Sequence, residues 1–139
     1  MIATLEAPQR SIDSDWVDEA DRFKWIESEK AGCDLGHQAI KKWVKLHWWG
    51  YLRARWLEHL QGKCFWIELD RDDFGLLHRV FQDEKVLFDQ IVDRLKLGGE
   101  NLCIYLWADL QHITHDRVRP ILHSLDINAH RLINKFETL

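Results

Sequence analysis

Carboxylates and imidazoles at helical spacing are the side chains of this chain that could bind a metal ion. The sequence has eight histidines, and two of them, His37 and His112, follow an aspartate by three positions. Such an i, i+3 pair lies on one face of a helix, and di-iron bundles use Glu-x-x-His pairs of this kind. The sequence therefore offers Asp109, His112 and His115 as candidate metal ligands. We nevertheless expect no cofactor, because both pairs carry the shorter Asp and helix capping already accounts for Asp34.

A second group of side chains that could take part in catalysis lies on one side of the longest predicted helix. His47, Tyr51 and Glu58 recur there together with the apolar residues Ile40 and Val44. A partly buried imidazole or carboxylate shifts its pKa and can act in acid–base catalysis. However, His47 and Glu58 lie about 16 Å apart along the helix axis at 1.5 Å per residue. We therefore interpret this group as structural, with Glu58 paired to an arginine of a neighbouring helix.

Motifs that mark covalent catalysis or nucleotide binding are absent from the sequence. It contains neither a G-x-S-x-G elbow nor a G-x-G-x-x-G or P-loop fingerprint. The cysteines Cys33, Cys64 and Cys103 are odd in number and lack CxxC spacing, which argues against a disulfide framework or a structural zinc site. We expect reduced thiols and predict that the protein is not an enzyme.

The most unusual feature is a helix-spaced stripe of basic and aromatic residues. Residues 41–63 contain six Lys and Arg against one Glu, which gives +5 and leaves −9 for the rest of a chain of net charge −4. Aromatic rings and arginines are typical hot spots of protein interfaces. Acidic residues 14–21 could neutralise the stripe within the molecule or across a dimer. At 100° per residue, one side of the predicted helix 35–61 carries the candidate partner-binding residues Lys42, Lys45, Trp49, Arg53 and Trp56.

Other partners suit the same stripe. Cations interleaved with flat rings also bind phosphates and stack on bases, and a basic, aromatic helix face can lie on anionic lipid. In the plainest interpretation, the Trp rings pack in the core while Lys and Arg stems reach water. A C-terminal alternative is a helix-turn-helix-like pair around residues 125–132. It would direct toward DNA the side chains of Asn128, His130, Arg131, Asn134 and Lys135.

Apolar spacing and capping residues predict the elements that carry these side chains. Helices are expected at about 14–31, at 35–61, at about 72–97 with a break at 82–85, and from 102 onward. Gly32 and Gly62 follow two of them as C-terminal caps. One or two further helices should follow residue 115, with Pro120 in a first turn. The run 64–69 is open between strand and helix, and strands at 64–69 and 102–107 would make a small α+β fold.

Length and composition favour one helical domain. The 139 residues are 46% hydrophobic and include only two Pro and seven Gly, which favours long helices around one core. We predict a compact all-α bundle of four to six helices over residues 13–139, after a flexible tail at 1–12. We recognise neither a secretory signal nor an apolar stretch of the roughly 20 residues that a membrane span needs. A cytoplasmic location is therefore expected.

These observations predict a non-enzymatic interaction protein. It would self-associate, or serve as an adaptor to another protein, through the Trp and basic face of the helix at 35–61. The first alternative is a nucleic-acid-binding module that uses the same stripe or the C-terminal helix pair. The second alternative is a metal-binding helical bundle that uses carboxylates and histidines.

Overall fold

The structure, a computed structural model, describes residues 7–125 and residue 134. This part of the chain forms six α-helices and one pair of two-residue strands, which confirms the predicted all-α class and the number of helices. The helices are α1 (Ile12–Ala31), α2 (His37–Gln61), α3 (Leu76–Val80), α4 (Lys85–Lys96), α5 (Asn101–Leu110) and α6 (His115–Leu125), and the strands are β1 (Gln9–Arg10) and β2 (Phe65–Trp66).

Helices α1 and α2 form an antiparallel hairpin that ends at the predicted glycines. Gly32 follows α1 with φ 74° and Gly62 follows α2 with φ 77°. Both backbones are left-handed, a conformation that glycine adopts without the penalty of a Cβ atom. Helix α1 begins at Ile12, two residues before the predicted start, and its first N–H groups donate to the carboxylate of Glu68.

The segment before α1 is held by a short parallel strand pair. Gln9 pairs with Phe65 and Arg10 with Trp66, and the side chain of Ile12 is buried. Within the predicted tail at 1–12, residues 9 and 10 thus form a strand and Ile12 begins α1. Two strand residues are too few to leave a periodic signal in the sequence. Residues 1–6 lie outside the described part. The run 64–69 contains one of the two strands of the α+β alternative, whereas residues 102–107 are helical.

Residues 72–97 were predicted as one helix with a break at 82–85. The structure has two short 3₁₀ turns, Arg71–Asp73 and Gln82–Glu84, which alternate with α3 and α4. The second turn lies at the predicted interruption. Phe81 and Phe88, which lie on either side of this turn, stack with ring centroids 5.8 Å apart. The apolar side chains before and after the turn therefore stay in contact although the helix is interrupted.

Helices α5 and α6 differ from the prediction in two details. Leu102, Leu106 and Leu110, whose spacing predicted α5, are exposed, and the residues of α5 that enter the core are Ile104 and Ala108. Pro120 lies inside α6 rather than in its first turn. A proline leaves the carbonyl four residues earlier without its usual donor. Here that carbonyl belongs to the exposed first turn of α6, where water can bind it.

Two clusters of buried side chains lie along α2. The first half of α2 packs on α1 in an aromatic cluster, where Trp16 lies 6.1 Å from both Trp43 and Trp48 between ring centroids. The second half packs on α3 and α4, which together with α5 and α6 complete a mainly aliphatic cluster that includes Leu57, Leu60 and Phe88. Helix α2 is thus the common wall of both clusters.

Candidate interaction surface

The predicted basic and aromatic stripe follows one side of α2, but only its first half reaches solvent. Lys42 and Lys45 are exposed, and Trp49 keeps 37% of its surface accessible. Leu46, which the sequence analysis did not include, is 59% exposed and widens this region. We define the outer face of α2 as Lys42, Lys45, Leu46, Trp49 and Arg53.

Trp56, which the sequence analysis proposed as a partner contact, is buried in the structure. Its side chain is only 4% exposed and belongs to the aliphatic cluster together with Leu57 and Leu60. The indole ring offers a large apolar area, and α3 and α4 pack against this end of α2. Burial of Trp56 therefore stabilises the fold and leaves no surface for a partner.

Two of the cations on the outer face of α2 already have acidic neighbours. The Nζ atom of Lys42 lies 3.1 Å from Oε1 of Glu27, and Nη1 of Arg53 lies 3.3 Å from Oε1 of Glu100. The hydrogen bond from Lys42 lowers the pKa of Glu27. Within the described residues no ion pair involves Lys45. Lys45 is therefore the cation of the outer face of α2 that has no carboxylate partner in the described part of the chain.

A second exposed face lies on α1, and the sequence analysis did not identify it. Asp18, Asp21 and Trp25 are all exposed, and Trp25 keeps 64% of its surface accessible. An open cleft of about 600 Å³ runs past Asp21, Trp25 and Glu29 to the turn after the helix. The sequence shows these acidic residues as part of the segment 14–21. The 3.6-residue periodicity of helix α1 places Asp18 and Asp21 on the same side as Trp25. We call Asp18, Asp21 and Trp25 the outer face of α1.

Of the group on α2 that we interpreted as structural, Tyr51 and Glu58 do form a bonded network, but Glu58 pairs within α2 and not with an arginine of a neighbouring helix. The hydroxyl of Tyr51 donates to Oδ2 of Asp15 at 2.7 Å, and the guanidinium of Arg55 lies 4.8 Å from the centroid of the Tyr51 ring. Burial and the Asp15 carboxylate raise the pKa of Tyr51 far above its usual range. Glu58 binds Arg55 on the same helix, and His47 is exposed. No general acid or base is therefore assembled from these residues.

His59 is a buried polar residue whose role the sequence did not reveal. Its Nε2 atom lies 2.7 Å from the carbonyl oxygen of Asp70, and its Nδ1 atom accepts from the backbone N–H of Trp66 at 3.2 Å. A neutral ring with the proton on Nε2 satisfies both contacts. His59 thus connects the end of α2 to β2 and to the turn that follows.

The metal-ligand candidates do not assemble in the structure. The Nε2 atom of His115 lies 2.7 Å from Oδ1 of Asp109. His112 lies in the turn after α5 and has a left-handed backbone with φ 59°. Among residues 7–125 and 134, no group of three His, Cys, Asp or Glu side chains has the arrangement of a metal site. Asp34 accepts from the backbone N–H of Gly36 and so shapes the turn before α2.

The helix-turn-helix prediction falls almost entirely outside the described residues. Of its proposed DNA contacts, Asn128, His130, Arg131 and Lys135 lie there, while Asn134 is buried and so is not available to DNA. The three cysteines are free, Cys33 and Cys103 exposed and Cys64 buried. In the described part, every helix is too short or too polar to cross a membrane.

Comparisons with known proteins do not assign this surface. No protein family profile matches the sequence, and neither curated proteins nor solved structures give a significant match.

Proposed function

We propose that this chain is a non-enzymatic interaction protein that binds another protein, or a second copy of itself, through the outer face of α2. The observation that carries the proposal is the exposure of Leu46 and Trp49 beside Lys42 and Lys45 on one side of α2, whereas another side of the same helix packs on α1. Contact sites in protein interfaces typically combine a rigid aromatic ring with flanking cations. Residues 37–57 contain five basic side chains and no acidic one, so the chemistry of this face fits an acidic protein surface.

The arrangement of the rings favours a protein over a nucleic acid. Stacking of successive bases requires several exposed rings along a basic groove. Trp56, the second ring of the stripe, is buried, and Arg53 is paired with Glu100. One exposed indole with a neighbouring leucine is a better match for an apolar anchor on a partner protein.

The proposal is tested with a double variant of the outer face, Leu46→Ser with Trp49→Ser. The matched control is Val86→Ser with Leu97→Ser, which removes two exposed apolar side chains from the region of α4. Both variants should keep the helical circular-dichroism spectrum of the wild type. Immobilised wild type and control should retain the same protein from an extract of native cells, and the outer-face variant should lose it.

A captured protein counts only after direct measurement with purified components. Its dissociation constant for the wild type should rise about tenfold or more in the Leu46/Trp49 variant, which corresponds to the loss of one interface anchor. Reagents that modify lysine or tryptophan should react more slowly with Lys45 and Trp49 in the complex. Equal binding by wild type and outer-face variant would refute the proposal. Co-purifying nucleic acid that leaves at high salt would instead support the nucleic-acid alternative.

A further inference from the structure

The outer faces of α1 and α2 have the same spacing and opposite charge. On α1, Asp18 and Asp21 precede Trp25 at positions i, i+3 and i+7, and on α2, Lys42 and Lys45 precede Trp49 at the same positions. At 100° per residue each triplet occupies a sector of about 60° of its helix. Each triplet therefore presents two like charges and one indole ring on a single exposed strip.

The two faces point away from their shared interface. Trp25 lies about 180° around α1 from Trp16, and Trp49 lies about 120° around α2 from Trp43, at 100° per residue. Trp16 and Trp43 are stacked on each other inside the hairpin. Lys42 does reach Glu27 of its own α1. Asp18, Asp21 and Trp25, however, lie on the far side of α1 from α2, so the two outer faces of one molecule do not contact each other, although they are complementary in charge.

We propose that the partner of the outer face of α2 is the outer face of α1 on a second copy of this chain. In a parallel alignment of the two helices, Asp18 lies opposite Lys42, Asp21 opposite Lys45, and Trp25 opposite Trp49. The inference rests on the proposed function and names the occupant of that surface. Because the two faces of one molecule differ and do not face each other, each added copy leaves one face of each kind open. Such heterologous contacts produce chains or rings rather than closed dimers.

Charge and shape both favour this occupant over the same face of a second copy. Two outer faces of α2 would bring Lys42 and Lys45 toward their own equivalents, and like charges in an interface repel. On the outer face of α1, by contrast, both charged residues, Asp18 and Asp21, are acidic and exposed. The cleft beside Trp25 gives room for an incoming side chain, and its charged lining has three carboxylates, Asp21, Glu29 and Asp34, against one cation, Lys24.

The size of the faces predicts a weak and salt-sensitive association. Each strip spans only two helical turns. We therefore expect the area that it buries to be smaller than the roughly 800 Å² per partner of a standard stable interface. Sedimentation velocity should therefore be run up to roughly 1 mM protein, the concentration at which weak contacts form. The average mass should rise beyond twice 16.7 kDa as concentration increases, and it should fall when salt screens the charges.

Charge reversal at one matched position tests the pairing directly. Lys45→Glu places an acidic residue opposite Asp21, and Asp21→Lys places a basic residue opposite Lys45. Each variant alone should assemble about tenfold more weakly than the wild type. A mixture of the two variants, and a single chain that carries both changes, should recover assembly because each restores an opposite-charge pair. The matched controls are Lys85→Glu and Asp83→Lys, which reverse exposed charges away from both faces.

Three results would overturn the inference: a wild type that stays monomeric over the whole range, an assembly that stops at a dimer, or charge reversals that change assembly no more than their controls. A monomeric wild type that loses a captured protein only in the Leu46/Trp49 variant would leave the proposed function standing. If that variant also keeps every partner, both proposals fail.

Discussion

The two halves of α2 present the same helix side to different surroundings. In the first half this side carries Lys42, Lys45 and Trp49 and is exposed, while in the second half it carries Trp56 and Leu60 and is buried. The residue types follow the same spacing throughout. The difference shows that periodicity identifies a helix face, whereas the neighbouring elements decide whether the face is covered.

The lengths of the helices explain where the cover ends. Helix α2 has 25 residues and is roughly 37 Å long at 1.5 Å per residue. Helices α4, α5 and α6 have 12, 10 and 11 residues, so none spans more than about half of that length. The contact between Arg53 and Glu100, just before α5, marks the boundary between the exposed and the buried half.

The largest expected effect comes from removing the ring in the buried half. Trp56→Ala leaves a cavity among Leu57, Leu60 and the residues of α3 to α6. We expect the free energy of unfolding to fall by about 3–5 kcal/mol, the range for truncating a buried Trp. Urea denaturation followed by circular dichroism measures it. A loss below about 1 kcal/mol would mean that the second half of α2 is not covered as described, and the comparison would fail.

A smaller effect is expected where α1 is anchored beside the first half of α2. The Glu68 carboxylate accepts from the hydroxyl of Ser11 at 2.5 Å and from the N–H groups of Ile12 at 2.7 Å and Asp13 at 3.1 Å. Glu68→Gln removes the charge at the start of α1, and we expect a loss of about 1 kcal/mol, as for a helix N-cap. Amide hydrogen exchange should accelerate in α1 more than in α4, because Glu68 holds the start of α1, which packs in the aromatic cluster.

The same carboxylate predicts a pH dependence. Burial by itself would raise the pKa of Glu68, but the hydrogen bonds from Ser11, Ile12 and Asp13 outweigh it and lower the pKa below its ordinary value of 4.5. A lowered pKa in the folded state stabilises the fold above pH 4.5, and this contribution is lost as the pH falls through the folded-state pKa. Glu68→Gln should therefore lose less stability than the wild type between neutral pH and pH 3. Identical acid titrations of the two proteins would contradict this role.

The sequence predicted most of the helices but only part of the surface. The C-terminal caps at Gly32 and Gly62 and the break at 82–85 were visible because each depends on a local residue preference. The pairing of Gln9 with Phe65 and the capping of α1 by Glu68 join residues more than 50 positions apart. Local spacing contains no information about such contacts.

The errors in the candidate site have the same origin. Trp49 and Trp56 lie seven positions apart on one helix side and have the same residue type, so the sequence could not separate the exposed ring from the buried one. Leu102 was assumed to mark a core stripe, although α5 turns Ile104 and Ala108 inward. The outer face of α1 was missed because the acidic residues 14–21 were considered for their charge alone, without Trp25 on the same side of the predicted helix.

The smallest expected effect on stability is at the ring that we assign to a partner. Trp49→Ala removes a side chain that is 37% exposed, and we expect the free energy of unfolding to fall by less than about 1 kcal/mol, as for a change outside the core. The same urea titration that is used for Trp56→Ala measures it, so the pair compares one residue type on one helix side. Helix propensity cannot cause a difference, because both variants replace Trp by Ala within the same helix. Equal losses in the two variants would show that the first half of α2 is as well covered as the second, and the outer face of α2 would then have no ring to offer a partner.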